Sequence, residues 1–210
     1  RHYGCHRAAF FITEGKRMQK AKETVLVLRT CNADMSAYGG FVWPKSGFVK
    51  APDWKNTTEC GNGLHGLLWG EGSAGYLSES DDANWMVCEV EKDLVVDLEN
   101  KVKFPEANVV YCGERDGAIN YLMDNGGKGC AIVYSTLTGG DYSTLTGGYG
   151  STLTGGYGST LTGGENATLI FKRWNGKRYK FYIAYVGEDG IKESTAYRLN
   201  TAGEFEECAE

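Results

Sequence analysis

The sequence has few of the residues and spacings that build metal or catalytic sites. It contains three histidines, and no two of its seven cysteines stand at CxxC spacing. We therefore predict neither a zinc site nor a disulfide framework, and we interpret the cysteines as small buried residues of a reducing compartment. No nucleophile motif or phosphate-binding loop is predicted either. The chain is accordingly predicted to be no enzyme and to hold no cofactor or metal.

Long apolar runs and an excess of positive charge are also missing. No apolar run approaches the roughly 20 residues that a transmembrane helix needs, and no secretory signal is recognisable. The formal net charge of -5 argues against a nucleic-acid partner, which would favour a basic chain. Because the chain begins with Arg1, we interpret residues 1–23 as a leader that includes non-native sequence before a hypothetical start at Met18.

Glycine is abundant, and its excess comes from a local repeat. The hexapeptide Ser-Thr-Leu-Thr-Gly-Gly begins at Ser135 and returns at Ser143, Ser151 and Ser159, so the period is eight residues. A decayed fifth copy follows at 167–170. Eight residues suit one strand and one tight turn, and repetition at a fixed period predicts a stacked architecture.

Alternation along each strand predicts which side chains of the repeat point inward. Ser135 and Leu137 lie on one side of the strand, and Thr136 and Thr138 on the other. Because leucine is buried, the threonines are predicted to face outward. The Gly-Gly pair is predicted to supply the positive φ angles of the corner. Two octapeptides then form one 16-residue coil of a β-solenoid, and residues 135–166 form about two coils.

Three regions follow from these patterns. Residues 24–134 are predicted to be an α+β N-terminal domain, residues 135–166 a short β-solenoid, and residues 167–210 a β-rich C-terminal cap that covers the open end. Asn175-Gly176 predicts a hairpin in the cap. The N-terminal domain is predicted to contain a helix at Glu114–Met123. Its strands are predicted at Val25–Arg29, Phe41–Trp43, Trp85–Val90, Leu94–Val96, Val109–Cys112 and Ala131–Tyr134.

Several stretches together resemble bacterial ice-nucleation proteins. Residues 26–31, 63–70 and 83–90 are similar to their N-terminal domain. Residues 148–155 resemble their central repeat, and residues 159–166 and 169–179 resemble the last coil and cap. The resemblance extends from about Met18 to the C-terminus in the same order. It implies ice nucleation at the bacterial surface, in the outer membrane, by outward threonines that order water.

Carried over by position, the resemblance assigns three groups of residues. Tyrosines are implied to stack along the solenoid and to support self-association: Tyr142, Tyr149 and Tyr157. The cap is implied to contribute basic and aromatic residues to assembly: Lys172, Arg173, Trp174, Lys177, Arg178 and Tyr179. The water-ordering threonines are Thr136, Thr138, Thr144, Thr146, Thr152, Thr154, Thr160 and Thr162.

The repeat is shorter than the family pattern, which has a long array and arginine-rich coils before the cap. Two coils stack to only about 10 Å. We therefore expect weakened nucleation, since a small surface supports only a small ice embryo. The alternative is a non-catalytic binding or assembly module at the cell surface, with the solenoid as a spacer.

A hydrolase-like N-terminal domain is a third hypothesis, and it would need a pocket with converging polar groups. Cys31, Cys60 and His65 are its candidates, although His65 is interpreted as a partly buried structural residue. Asp81 and Asp82 are interpreted as solvated surface rather than a calcium site. Residues 63–65 and 88–90 also resemble small uncharacterised domains of phage and bacterial proteins.

Overall fold

The structure is a computed structural model that describes residues 22–208, and it divides between Lys128 and Gly129 into two compact units. The hypothetical start at Met18 and most of the predicted leader lie outside the described residues. In the described part, no helix has both the length and the apolar character needed to cross a membrane.

The N-terminal unit is built on one antiparallel sheet of seven strands in the order β2-β7-β4-β1-β3-β6-β5. A short α-helix, α1 (Arg115–Leu122), follows the last strand and buries Ala118, Ile119 and Leu122. The predicted α+β unit is therefore mostly β. Its strands are β1 (Thr24–Cys31), β2 (Gly47–Lys50), β3 (Leu64–Leu68), β4 (Asn84–Glu91), β5 (Val96–Asp97), β6 (Val102–Phe104) and β7 (Glu106–Gly113).

The centre of this sheet is apolar on both faces. Strand β1 has four consecutive buried residues, Val25 to Leu28, and its neighbour β4 has four from Trp85 to Cys88. Because side chains alternate along a strand, such runs mean that both faces of the strand are covered. The sequence predictions for β1, β4, β7 and α1 are confirmed to within a few residues at each end.

Three predicted strands are corrected. Residues 41–43 form only an isolated bridge between Ser36 and Val42. Residues 92–94 form a 3₁₀ turn, so the strand begins only at Val96. Residues 131–134 contain no strand. They end in a turn at Tyr134, whose left-handed conformation with φ of 55° is excluded from extended backbone.

The C-terminal unit contains two four-stranded sheets, with the orders β13-β12-β10-β8 and β15-β14-β11-β9. Successive octapeptides alternate between the two sheets, so strands within a sheet are parallel and pair residues sixteen apart. The strands are β8 (Thr136–Thr138), β9 (Thr144–Gly147), β10 (Thr152–Gly155), β11 (Thr160–Gly163), β12 (Thr168–Trp174), β13 (Tyr179–Tyr185), β14 (Ala196–Leu199) and β15 (Phe205–Glu207).

Leucines of the repeat form the core of this unit. Leu153, Leu161 and Leu169 are fully buried, and Leu137 and Leu145 of the first two strands pack against them. The prediction that the leucines face inward is therefore confirmed. The Ser hydroxyls also point inward, and Ser135, Ser151 and Ser159 are buried.

Antiparallel strands complete both sheets after the repeat. Strands β12 and β13 form the predicted hairpin at Asn175-Gly176, where the Asn175 Oδ1 accepts hydrogen bonds from the backbone of Lys177 and Arg178. Strand β14 pairs with β11, and β15 pairs with β14. A change from parallel to antiparallel pairing thus accompanies the end of the glycine repeat.

Five cysteines of the described residues carry free thiols. Only Cys31 and Cys88 of these are buried, so the interpretation of the cysteines as buried residues is wrong for Cys60, which is exposed, and for Cys112 and Cys208, which are partly exposed. The sequence predicts no disulfide framework. Cys130 departs from that prediction, because it is disulfide-bonded. The free thiols are Cys31, Cys60, Cys88, Cys112 and Cys208.

Candidate water-ordering site

The sheet of β8, β10 and β12 lines up threonines in two outward rows. One row contains Thr136, Thr152 and Thr168, each directly opposite the next in the parallel register. The second row contains Thr138 and Thr154 and ends at Ile170. Thr168 was not among the sequence candidates, although the decayed fifth copy of the repeat contained the signal for it.

The other sheet carries two shorter rows. Thr144 lies opposite Thr160, and Thr146 lies opposite Thr162. Strand β14 ends these rows, because Ala196 lies opposite Thr162 and Arg198 Nε donates a hydrogen bond of 2.9 Å to Thr160 Oγ1. One of the eight predicted hydroxyls is therefore already occupied by an arginine of the same chain.

Exposure differs along the rows. Thr136, Thr138 and Thr144 are exposed, and the five later threonines of the repeat are half-buried. Adjacent strands lie about 4.8 Å apart and alternate residues of one strand about 7 Å apart. The three-strand face therefore offers a nearly flat array of about 7 by 10 Å. Each threonine presents a methyl and a hydroxyl on a stiff side chain.

The Gly-Gly pairs do not supply the positive φ angles predicted for them; none of the eight glycines has one. They are needed instead for close packing. A Cβ on Gly147 would lie 2.7 Å from the Cβ of Ser151, and one on Gly164 would lie 2.6 Å from the backbone carbon of Gly148. In three of the four pairs the first glycine thus makes room for an inward serine, and in three the second allows backbones of successive turns to approach. A Cβ on Gly140 would meet no atom within 4 Å.

The left-handed residue of each octapeptide is the one directly before the serine position. Tyr134, Tyr142, Gly150, Gly158 and Asn166 occupy it, with φ between 55° and 67°. Glycine and asparagine tolerate this conformation better than tyrosine does. The last two positions of each octapeptide, which vary in sequence, therefore contain the corner of the backbone.

Tyrosines form two separate edge-to-face pairs. The ring centroids of Tyr142 and Tyr157 lie 5.6 Å apart, and those of Tyr134 and Tyr149 lie 5.5 Å apart. The three sequence candidates therefore do not share one stack, and Tyr134 was missed because it precedes the first full repeat. Tyr142 is 73% exposed and Tyr157 is 56% exposed, so the first pair stands in solvent.

The basic and aromatic cap residues have two different roles. Arg173 is used internally, since its NH1 donates to the backbone oxygens of Asn200 and Thr201 at 3.0 and 3.1 Å. The Lys172 Nζ lies 4.2 Å from the centre of the Tyr179 ring, which Trp174 contacts edge-on at 5.2 Å between centroids. The remaining candidates, Lys177 and Arg178, are exposed near the hairpin turn.

Strand β13 extends the threonine face with exposed apolar side chains. It is an edge strand of its sheet, and its outward residues are each 51–58% exposed. They are Tyr179, Phe181, Ile183 and Tyr185. Roughly 400 Å² of apolar side chain is available there, which is the size of patch that marks an interaction surface.

The candidates of the hydrolase hypothesis line one cavity of the N-terminal unit. They do not form a catalytic pair. The Cys31 thiol lies 3.4 Å from the Met86 sulfur, and burial raises the pKa of that thiol. The Nε2 of His65 has no hydrogen-bond partner. Within residues 22–208, no cluster of three or more histidine, cysteine or acidic side chains is arranged to hold a metal ion.

Comparison with known proteins supports the resemblance to ice-nucleation proteins. An ice nucleation protein of Pseudomonas fluorescens is 48% identical over 108 residues, which is 50% of this chain and 9% of the relative. One of Pseudomonas syringae pv. syringae is 42% identical over 118 residues, covering 55% and 10%. One of Xanthomonas campestris pv. translucens is 43% identical over 105 residues, covering 49% and 7%. The chain therefore spans a tenth or less of their length.

The N-terminal unit also matches a domain family. Residues 25–120 fit a family described as a domain of unknown function, DUF7666. No solved structure is significantly similar to the chain.

Proposed function

Since half of this chain is related to ice-nucleation proteins, we propose that it orders water for ice nucleation on the threonine rows of a short β-solenoid. Two octapeptides form each coil, and β13, β14 and β15 cap it. The proposal rests chiefly on the sixteen-residue parallel register that brings Thr136, Thr152 and Thr168 into one outward row.

Ordering water in this way needs no acid, base, metal or cofactor. Each hydroxyl can donate and accept a hydrogen bond, and the adjacent methyl limits the orientations of neighbouring water. The strand register fixes the spacing of the rows, and the buried leucines hold the strands in place. A non-enzymatic function is therefore part of the proposal, as is a location at the bacterial surface, in the outer membrane.

The small area of the array limits the activity of one molecule. A face of about 7 by 10 Å holds only a few waters, so we propose that nucleation by this chain is weak unless molecules assemble. The exposed Tyr142–Tyr157 pair and the apolar face of β13 are the surfaces that we assign to self-association with a second copy.

Droplet freezing tests the water-ordering proposal. In the double variant Thr136→Val and Thr152→Val, the branched shape stays and two hydroxyls of the longest row disappear. We expect its freezing temperature to fall toward that of buffer. The matched control is Thr201→Val, an exposed threonine outside the rows, which should freeze like the parent. Freezing of the parent at the buffer temperature at every concentration would overturn the proposal.

Self-association is tested by sedimentation velocity on the same protein. Phe181→Lys and Ile183→Lys should shift the chain toward monomer, because charge on an edge strand opposes pairing. Unchanged sedimentation would show that β13 does not mediate self-association. The proposal for the threonine rows would not be affected.

A binding or assembly module at the cell surface is the second candidate. The shortness of the rows favours it, because no row has more than three threonines. In that case the solenoid is a spacer, and the threonine variants would freeze like the parent.

A further inference from the structure

The N-terminal unit contains a cavity of about 770 Å³ that the water-ordering proposal does not use. It opens beside the ends of β1 and β3, and loops 36–43, 52–63 and 75–78 line it. Its volume is within the range of about 300–1,000 Å³ that is usual for small-molecule sites.

An arginine without an acidic partner lies in the wall of this cavity. The guanidinium of Arg29 stacks 3.6 Å from the centre of the Trp43 ring and donates to the backbone oxygens of His65 and Thr30, both at 3.2 Å. Its Nε is buried and has no hydrogen-bond partner. No carboxylate of residues 22–208 forms an ion pair with it. Buried charges in proteins are normally paired.

A second cation and a second aromatic ring line the cavity. The Nζ of Lys101 lies 4.0 Å from the centre of the Tyr76 ring. Among the lining residues that lie within 22–208, Asp53 is the single acidic side chain, and Asn62 already donates to its Oδ2 at 3.2 Å. The charge of the lining is therefore positive.

The pKa of His65 is affected by this positive environment. Burial lowers its pKa to about 4, and the charges of Lys101, Arg29 and Lys103 push the pKa in the same direction. Its Nε2 is buried without a hydrogen-bond partner. The charged side chains that shift this pKa are all cationic, which agrees with the positive charge of the lining.

The glycines of the cavity do not form a dinucleotide loop. Residues 61–66 have GxGxxG spacing, yet they lead into β3 rather than into a helix. Gly63 makes room for the Trp54 ring, which a Cβ would approach to 2.9 Å. Side chains, rather than a glycine-rich backbone loop, are therefore the groups that can recognise a ligand in this cavity.

We propose that this cavity binds a small organic anion, whose carboxylate or phosphate pairs with Arg29 and Lys101 and whose body lies against Trp43 and Tyr76. An oxyanion supplies the counter-charge that the guanidinium lacks, and aromatic walls are suited to an apolar or planar body. The site is independent of the threonine rows, and it gives the N-terminal unit a binding function of its own.

Isothermal titration of the full chain tests the proposal with two pairs of probes. Adenosine monophosphate and adenosine compare a phosphate ester with its neutral parent, and benzoate and benzamide do the same for a carboxylate. We expect at least one anion to bind ten-fold more tightly than its neutral analogue. The pair that responds identifies the oxyanion. If neither anion exceeds its neutral analogue, the proposal is wrong.

Variants then place the binding in the cavity. Lys101→Gln should weaken binding of the responding anion at least five-fold. Arg29→Lys should also weaken its binding although the charge is kept, because the planar guanidinium group is lost. Lys128→Gln removes an exposed charge of the same unit outside the cavity lining and should bind like the parent. Equal losses in Lys101→Gln and Lys128→Gln would show nonspecific attraction and overturn the site. Since the readout is binding, failure here leaves droplet freezing unaffected.

Discussion

The hydroxyl oxygens of Ser135 and Ser151 lie 3.0 Å apart inside the repeat, although sixteen residues separate them in sequence. Ser143 and Ser159 repeat the contact at the same distance on the other sheet. Each pair joins two successive turns in the interior, where a polar group must be satisfied. The serine of the octapeptide is thus as much a structural residue as the leucine.

Replacing Ser151 should therefore destabilise the C-terminal unit. Ser151→Ala leaves the buried Ser135 hydroxyl without this partner, and we expect a loss of about 1–2 kcal/mol in the free energy of unfolding. Urea denaturation measures it. Thr201→Ala, at an exposed threonine, is the control and should change stability by less than about 0.5 kcal/mol. Equal effects would mean that the serine contact contributes nothing.

Gly158 allows the Tyr142–Tyr157 pair to form. Its φ is 67°, and a Cβ there would lie 2.6 Å from carbons of the Tyr142 ring. Gly158→Ala therefore adds both backbone strain and a clash, and we expect it to cost about 1–3 kcal/mol in thermal or urea unfolding.

Gly176→Ala separates these two causes. Gly176 has a φ of 93° and no atom within 4 Å of the added Cβ, so only strain applies. We expect a loss of about 1 kcal/mol. If both variants lose the same free energy of unfolding, the Tyr142 ring has moved aside and the clash costs nothing.

The stability of the N-terminal unit should depend on pH through His65. Its pKa in the folded protein is about 4, below the ordinary value of 6.5, so the unfolded chain binds the proton first as pH falls. The contribution of His65 is complete above about pH 6.5 and declines toward pH 4. After allowance for partial exposure, we expect a loss of about 1–2 kcal/mol by pH 4.5.

Urea unfolding of the parent and of His65→Asn at pH 7 and 4.5 measures this effect. Tryptophan fluorescence is a suitable signal, because four of the five tryptophans lie in the N-terminal unit. The carboxylates and other titratable groups are the same in both proteins, so the difference between their pH dependences isolates His65. The same pH dependence in both proteins would show that His65 is not the source.

How far the sequence predicts the structure differs between the two units. In the repeat, the period alone predicted inward Leu153 and the outward threonines, because alternation is local. The corner was mislocated, since nothing local indicates that Tyr142 rather than glycine has positive φ. The strand order of the N-terminal sheet and the presence of Arg29 and Lys101 in the lining of one cavity were not predictable, because both depend on residues far apart in sequence.

The sixteen-residue register predicts how the length of the array changes the freezing temperature. Duplicating residues 143–158 adds sixteen residues, so every later strand keeps its sheet and each row gains one threonine position. We expect the freezing temperature of droplets to rise above that of the parent, because the ordered face is larger. Duplicating residues 151–158 adds only eight residues and moves β12 onto the opposite sheet.

The eight-residue duplication is the control for added repeat sequence, because it inserts an octapeptide of the same type without keeping the sixteen-residue register. Strand β12 would then have to continue the sheet that β14 now covers, so we expect a less stable chain with no gain in freezing temperature. Circular dichroism and thermal unfolding of both proteins verify the folds. If the sixteen-residue duplication folds and still freezes like the parent, extending the threonine rows does not promote ice, and the rows are structural.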